Sequence, residues 1–204
     1  RDRGATQAPE GTFTEIASGP FHTCALRAGG EPVCWGYRPG LYGADQPRPG
    51  NYVRVAAGMS FTCGLTLTGN AVCWGKTSGW DRAVPRGTYT ELAAGRDEAW
   101  ALRRSGTVVC WGINVVPGPR RKFAHVFFGD YDVPCGLTTL GHATCWGSSF
   151  FVPPPSGRYL QVASSVFGGG RACAVTRAGS VICWGTSASR PQAALLLPAS
   201  EGSP

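Results

Sequence analysis

The tripeptide Cys-Trp-Gly occurs five times along this chain of 204 residues, with its tryptophan at positions 35, 74, 111, 146 and 184. The tryptophans are separated by 39, 37, 35 and 38 residues. A matching block precedes each copy: an alternating run such as Tyr52–Ala56, a glycine such as Gly58, and a second run such as Phe61–Thr66. Self-similarity with a period of roughly 20–50 residues is typical of solenoids, propellers and arrays, so the repeat constrains the fold more than any single motif.

Each repeat is predicted to contain three short β-strands. The alternating run is the first strand, and the second run follows its glycine. A glycine-containing turn, such as Gly69-Asn70, then leads into a third strand that ends at Cys-Trp-Gly. The variable segments after Trp-Gly are rich in Pro and Gly, and each is expected to add a short fourth strand before the next repeat.

Composition agrees with an all-β chain. Charged residues make up 15% of the sequence, below the roughly 25% of an average domain, which argues against a coiled coil or a disordered chain. A unit of three or four strands cannot bury both of its faces alone, and radial stacking of such units gives a β-propeller. The sequence therefore predicts a β-propeller of about five short blades, stapled by disulfides.

The predicted organisation follows the repeats. Residues 1–12 form an N-terminal extension, and 188–204 form a C-terminal tail that supplies a closing strand or a strand of a sixth blade. The propeller covers 13–187, with repeats at 13–50, 51–87, 88–121, 122–157 and 158–187.

Eight of the nine cysteines form pairs ten residues apart. Residues equidistant from a hairpin turn face each other across antiparallel strands, at a separation that a disulfide tolerates. No C-x₂₋₄-C zinc spacing occurs, so disulfides are the better interpretation. The predicted disulfides are Cys24–Cys34, Cys63–Cys73, Cys135–Cys145 and Cys173–Cys183. In the third repeat Trp100 replaces the first cysteine, so Cys110 is expected to stay outside any disulfide and to pack near Trp100.

Four disulfides indicate an oxidising compartment, and a secreted, extracellular location is expected. The chain begins at Arg1 without an apolar leader, which is expected of a processed mature form or a trimmed one. Its longest aliphatic stretch, Ala193–Leu197, is too short to span a bilayer, so no membrane span is predicted.

The repeat pattern resembles a known superfamily. The elements aliphatic-Ala-x-Gly, x-x-x-C-A-L-x-x-x-G and V-x-C-W-G are similar to regulator-of-chromosome-condensation repeats, over about Phe13 to Gly185. The cysteine pairs and short period are most similar to the Crinkly-type repeats of plant receptor-kinase ectodomains. The resemblance implies a β-propeller, usually of about seven blades. With five repeats visible, the ring closes with five blades, forms an incomplete arc, or includes a sixth unit from the tail.

No motif of an enzyme is present. The sequence lacks G-x-S-x-G, a phosphate-binding glycine loop and H-E-x-x-H, and the three histidines follow no metal-ligand spacing. We therefore expect no catalytic activity, no cofactor and no metal site.

The turns after the first strand of each repeat are the predicted partner-binding surface, which we call the turn rim. Their residues differ between repeats and include aromatic, Met and charged side chains, a composition found at interfaces. The alternative is a set of ordinary solvated turns. The predicted binding residues are Phe21, His22, Met59, Phe61, Arg96, Asp97, Glu98, Asp130, Tyr131, Asp132 and Arg171.

The segments after Trp-Gly offer a second candidate surface. Trp80 is expected to anchor a partner or to fold onto its own blade, the latter being favoured. The run Arg120-Arg121-Lys122 attracts polyanions, but three charges are too few to assign a nucleic acid or an acidic polysaccharide, and a solvated turn is favoured. A nucleic-acid partner is not predicted.

Two functions remain after these exclusions. The first is an extracellular, non-catalytic interaction module that binds a protein or a glycan through one propeller rim. The second is a structural subunit of an extracellular wall, sheath or appendage, where the partners are other subunits. The nucleotide-exchange and chromatin roles of nuclear members of the superfamily are disfavoured by the disulfides.

Overall fold

A computed structural model describes residues 8–36, 43–77, 80, 83–113, 115–128, 133–147, 152–165 and 171–185. These residues form five antiparallel sheets of three strands each, and no helix occurs among them. The predicted all-β propeller of five short blades is confirmed. The expected fourth strand of each blade is not found in the described residues, where the segments after Trp-Gly are turns and irregular chain.

Each blade takes its three strands from one repeat, in the order of the sequence. The first blade contains β1 (Phe13–Ser18), β2 (His22–Arg27) and β3 (Pro32–Gly36), and the second contains β4 (Tyr52–Ala57), β5 (Phe61–Thr66) and β6 (Ala71–Gly75). The third contains β7 (Glu91–Ala94), β8 (Glu98–Leu102) and β9 (Val108–Gly112), and the fourth contains β10 (Phe123–Phe128), β11 (Pro134–Thr138) and β12 (Ala143–Cys145). The fifth contains β13 (Tyr159–Ser165), β14 (Arg171–Thr176) and β15 (Val181–Gly185).

The cysteine pairs lie directly opposite each other on the second and third strands of their blades. Cys24 pairs with Cys34 and Cys63 with Cys73 in the strand register, and the same holds for the two later pairs. All four disulfides are present as the spacing predicted. In the third blade Trp100 lies opposite Cys110, whose buried thiol is 3.8 Å from the Val116 carbonyl oxygen.

Successive blades are joined by hydrogen bonds at their hairpins. The hairpin glycine of one blade has a positive φ of 80–87° in the first four blades, which glycine adopts without steric cost. Its carbonyl oxygen accepts a hydrogen bond from a backbone N–H at the start of the next blade, in or just before its first strand: Gly30 from Tyr52, Gly69 from Tyr89, Gly106 from Phe123 and Gly141 from Tyr159, at 2.8–2.9 Å. The same turn therefore closes a hairpin and fixes the neighbouring blade.

Between blades lies an apolar core built from the repeated positions. Tyr52 and Trp74 of the second blade, 5.6 Å apart between ring centroids, pack on Cys24 and Leu26 of the first. Equivalent ring pairs occur in the next three blades at 5.3–6.0 Å. Fully burying one such side chain contributes roughly 1.5–3 kcal/mol, so the cores between blades dominate stability. Four of the five repeated tryptophans, Trp74, Trp111, Trp146 and Trp184, thus serve packing.

The third blade replaces its disulfide by aromatic packing. Trp100 is 1% exposed, and its ring meets that of Trp146 edge-on at 5.2 Å. Trp146 also packs on Phe123. The Trp100 side chain therefore fills the space that the disulfide occupies at the same position in the other blades.

Extensive packing joins each blade to the next, and nothing comparable joins the fifth blade to the first in the described residues. Ile16 in the first blade is 66% exposed, whereas Val55 and Val126 at the matching positions are 6% and 5% exposed. At the other end, a Cβ on Gly179 would meet open space, whereas one on Gly69 would lie 3.0 Å from the Tyr89 carbonyl. Among the described residues, the first and fifth blades therefore lack the contacts that join the other neighbouring blades.

Candidate interaction surfaces

The described turns of the turn rim, which belong to the first three blades, lie at one end of a central cavity. The first strands of all five blades line this cavity, which has a volume of about 740 Å³. Its wall carries one aliphatic side chain from each blade: Ile16, Val55, Leu92, Val126 and Val162. The first strands of the first three blades lead into described turns of the rim, so these three turns lie beside one opening of the cavity.

Neighbouring turns are in close backbone contact. A Cβ placed on Gly58 would lie 2.7 Å from the carbonyl oxygen of Gly95, and one on Gly19 would overlap the carbonyl oxygen of Gly58. Glycine is therefore required at Gly19 and Gly58 to let the turns approach. The first three turns form one continuous surface.

The structure places five of the predicted binding residues on this surface. Phe21 is 39% exposed, Arg96 is exposed, and Met59, Asp97 and Glu98 are half-buried. Arg96 Nε lies 3.4 Å from Asp97 Oδ2, so the third turn presents a local ion pair. Arg171 begins β14. Asp130, Tyr131 and Asp132 lie outside the described residues.

His22 does not face a partner as expected, because it is buried between the first two blades and only 5% exposed. Thr62 donates its hydroxyl hydrogen to the Ala44 carbonyl at 2.9 Å, so its oxygen accepts a hydrogen bond from His22 Nε2 at 2.6 Å. Burial lowers the pKa of His22, and the charge of Asp45 opposes that shift. Trp74 Nε1 also donates to the Ala44 carbonyl, so the network joins the two blades.

Phe61 likewise does not offer a contact surface, because it is 1% exposed in the core between the second and third blades. Its ring meets Trp80 edge-on at 5.0 Å. Trp80 therefore folds onto its own blade, as favoured from the sequence. His22 and Phe61 each open a second strand and pack into a core between two blades, which is why neither side chain is available on the turn rim.

The opposite end of the propeller carries the hairpins and the starts of the first strands, and we call it the hairpin rim. Its charged residues are mostly basic, and Arg120–Lys122 belongs here rather than beside Trp80. The described cations are Arg27, Arg48, Arg54, Arg86, Arg103, Arg104, Arg120, Arg121, Lys122, Arg158 and Arg177, and the acids are Glu10, Glu15, Glu31 and Glu91. Sequence reasoning missed this surface, although a basic residue near the hairpin or the first strand in every repeat was a visible signal.

A cleft of about 380 Å³ opens on the hairpin rim between the second and third blades. Arg54 and Arg104 line it, together with the threonines Thr66, Thr68, Thr88 and Thr90. Leu67, at the tip of the hairpin, is 78% exposed beside it. Hydroxyl and guanidinium groups thus share one concave site.

Two further features of the described residues bear on function. No three His, Cys, Asp or Glu side chains come together there as a metal site would require. Nor does that part of the chain contain a helix with the length and apolar character needed to cross a bilayer.

No family model and no curated protein matches this sequence significantly. Solved structures do match. The Crinkly WD40 ectodomain of the Arabidopsis thaliana receptor kinase ACR4 is 23% identical, with a TM-score of 0.70, over 89% of this chain and 66% of that one. The ectodomain of the Physcomitrella patens receptor kinase CR4 is 24% identical, with a TM-score of 0.70, over 85% of this chain and 50% of that one. Prp20p of Saccharomyces cerevisiae, described with its binding to Gsp1p and histones, is 18% identical, with a TM-score of 0.65, over 83% of this chain and 56% of that one.

These likenesses show the fold. The chain spans 66% or less of the length of these three structures. Its blades have the architecture shared by the Crinkly ectodomains and by Prp20p. The predicted resemblance to regulator-of-chromosome-condensation repeats with Crinkly-type cysteine pairing is therefore confirmed at the level of the fold.

Proposed function

We propose that this protein is an extracellular, non-catalytic interaction module that binds a protein or a glycan through the turn rim. The observation that carries the proposal is the continuous surface formed by the turns at Gly19, Gly58 and Gly95. Contact between their backbones places Phe21, Met59 and Arg96 on one face, although they are far apart in the sequence. Such composite surfaces, with exposed aromatic and charged side chains on a rigid scaffold, suit recognition.

The disulfides support both a rigid propeller scaffold and an extracellular location. Each ties the second strand of a blade to the third, next to the cores that hold the blades together. Disulfides persist in oxidising compartments, which supports a secreted protein. The fold similarity to receptor-kinase ectodomains favours the same location, and the protein partners named for Prp20p show that the fold serves protein recognition there.

Site-specific photo-crosslinking tests the proposal. A photo-reactive residue at position 96 reports on the turn rim, and one at the exposed position 152, in the segment after the fourth Trp-Gly, serves as the control outside both ends of the propeller. With extracellular fluid from the native source, we expect a discrete crosslinked protein or glycoprotein from position 96, competed by excess unmodified protein. The charge reversals Asp97→Lys and Glu98→Lys should weaken capture by slowing association. Equal capture from both positions, or capture insensitive to both reversals, would contradict binding through the turn rim.

One observation favours the alternative, a structural subunit of an extracellular assembly. Ile16 is 66% exposed in a position that is buried in the second and fourth blades, so subunits packed end to end would cover it. Sedimentation of the purified protein separates the two functions. Assembly that grows with concentration and is abolished by Ile16→Asp would favour the structural subunit, and a monomer at all concentrations would favour the interaction module.

A further inference from the structure

Positive charge is concentrated on the hairpin rim. Its eleven cations and four acids give a formal charge of +7 from the described residues. Among the side chains that the structure describes at the opposite end, two cations (Lys76 and Arg96) stand beside three acids (Asp45, Asp97 and Glu98), so positive charge does not accumulate there. A protein surface with one sign of charge attracts ligands of the other sign over several ångströms.

Few of the rim cations are neutralised within the protein. In the described part of the chain only two of them form ion pairs: Arg27 with Glu31 at 4.0 Å and Arg54 with Glu15 at 3.4 Å. Arg104 in the cleft forms none there. Like charges held close together without counter-charges oppose folding, so an anionic ligand would relieve their repulsion.

The cleft supplies groups that recognise a sugar as well as an anion. The hydroxyl groups of Thr66 and Thr68 are hydrogen-bonded to each other at 2.9 Å, and Asn70 Nδ2 donates to Thr68 Oγ1 at 2.9 Å. These hydrogen bonds order the edge of the hairpin before a ligand binds. Arg54 and Arg104 line the same cleft. The planar guanidinium fork matches the geometry of a carboxylate, sulfate or phosphate, and hydroxyl groups exchange hydrogen bonds with sugar hydroxyls.

We infer that the hairpin rim binds an acidic polysaccharide, with the cleft between the second and third blades holding one charged sugar. A single-stranded nucleic acid fits less well because the rim's described aromatic rings at the starts of the first strands offer little free surface for stacking: Tyr52, Tyr89, Phe123 and Tyr159 are only 1–4% exposed, and the half-buried Phe13 ring is covered by the Arg27 guanidinium at 5.4 Å. An oxidising compartment, indicated by four disulfides, is also where acidic polysaccharides rather than nucleic acids are the abundant polyanions. This inference concerns the rim opposite the proposed protein- or glycan-binding surface and stands or fails separately.

Binding to immobilised heparin and polygalacturonate tests the inference, with a short DNA duplex and neutral dextran as comparison ligands. At about 150 mM salt we expect binding to at least one acidic polysaccharide and none to dextran. The variant Arg54→Ser/Arg104→Ser should lose about tenfold in affinity, and its dependence on the logarithm of salt should become shallower by about one for each guanidinium group removed.

The matched control compares single variants: Lys76→Ser removes one exposed cation from the other end and should change affinity less than twofold, whereas Arg104→Ser should weaken binding severalfold. Because Arg54 pairs with Glu15, Glu15→Gln should preserve or increase binding, which separates the effect of breaking the ion pair from the effect of removing the ligand-binding cation. Thermal midpoints within a few degrees of wild type would verify that the variants fold. An equal loss in Lys76→Ser and Arg104→Ser, tighter binding to DNA than to either polysaccharide, or no polysaccharide binding would overturn the inference.

Discussion

Restoring the missing cysteine of the third blade, by Trp100→Cys, measures how much aromatic packing compensates for the absent disulfide. Trp100 lies directly opposite Cys110, in the register that the four disulfide pairs share. We therefore expect the new cysteine to form a disulfide with Cys110 under oxidising conditions, without rearrangement of the strands.

The net change in stability is the difference between two opposing contributions. Closing a loop with a sequence separation of 10 reduces the entropy of the unfolded chain and stabilises by about 2.7 kcal/mol. Removing a buried Trp costs roughly 3–5 kcal/mol. The lower end applies because the Trp100 indole N–H is buried without an acceptor among the described residues, a desolvation cost that the substitution removes. The oxidised variant should therefore unfold within about 1 kcal/mol of wild type.

Chemical denaturation of wild type, Trp100→Cys and the control Trp100→Ser provides the assay. The serine variant lacks the disulfide and should be less stable than oxidised Trp100→Cys by about 2.7 kcal/mol. Alkylation and mass measurement count the free thiols in each protein. Two alkylated thiols in the folded cysteine variant would refute the strand register. Equal stability of the cysteine and serine variants would refute the loop-entropy argument.

The contacts between blades lead to three further predictions. Because burial lowers the pKa of His22, the folded state favours the neutral imidazole, so its contribution to stability is complete above pH 6.5 and declines as the pH falls below that value. Thermal midpoints measured from pH 7.5 to 5 should therefore fall more steeply for wild type than for His22→Gln, and parallel curves would contradict this. Gly69 and Gly179 share a φ of about 80°, but only at Gly69 would an alanine Cβ lie 3.0 Å from the next blade. Denaturation should therefore show Gly69→Ala to be less stable than Gly179→Ala by about 1 kcal/mol, and equal losses would count against the hairpin contact. The tail, 188–204, lies outside the described residues, and we propose that its apolar run packs on the fifth blade as a closing or sixth-blade strand. Truncation after residue 187 should then lower the thermal midpoint and increase binding of an apolar dye, and unchanged values of both would exclude that role.

The sequence was sufficient for the local architecture because the repeat presents the same pattern five times. Cysteines equidistant from a glycine turn, such as Cys63 and Cys73, define both a hairpin and its disulfide. The recurring Trp of Cys-Trp-Gly pointed to packing between blades, and the core that Trp74 shares with Cys24 and Leu26 of the first blade is one instance. Such features depend on strand alternation and turn geometry, which a short segment of chain specifies by itself.

The surfaces were decided by the tertiary structure. His22 and Phe61 stand next to variable turns in the sequence, yet both are buried because the adjoining blade covers them. Arg54 and Arg104 are 50 positions apart and belong to different repeats, yet they line one cleft because their blades stack side by side. Which side chains remain exposed, and which charges share a face, depends on how one blade packs against the next. That packing joins residues distant in the sequence, so no local pattern encodes it.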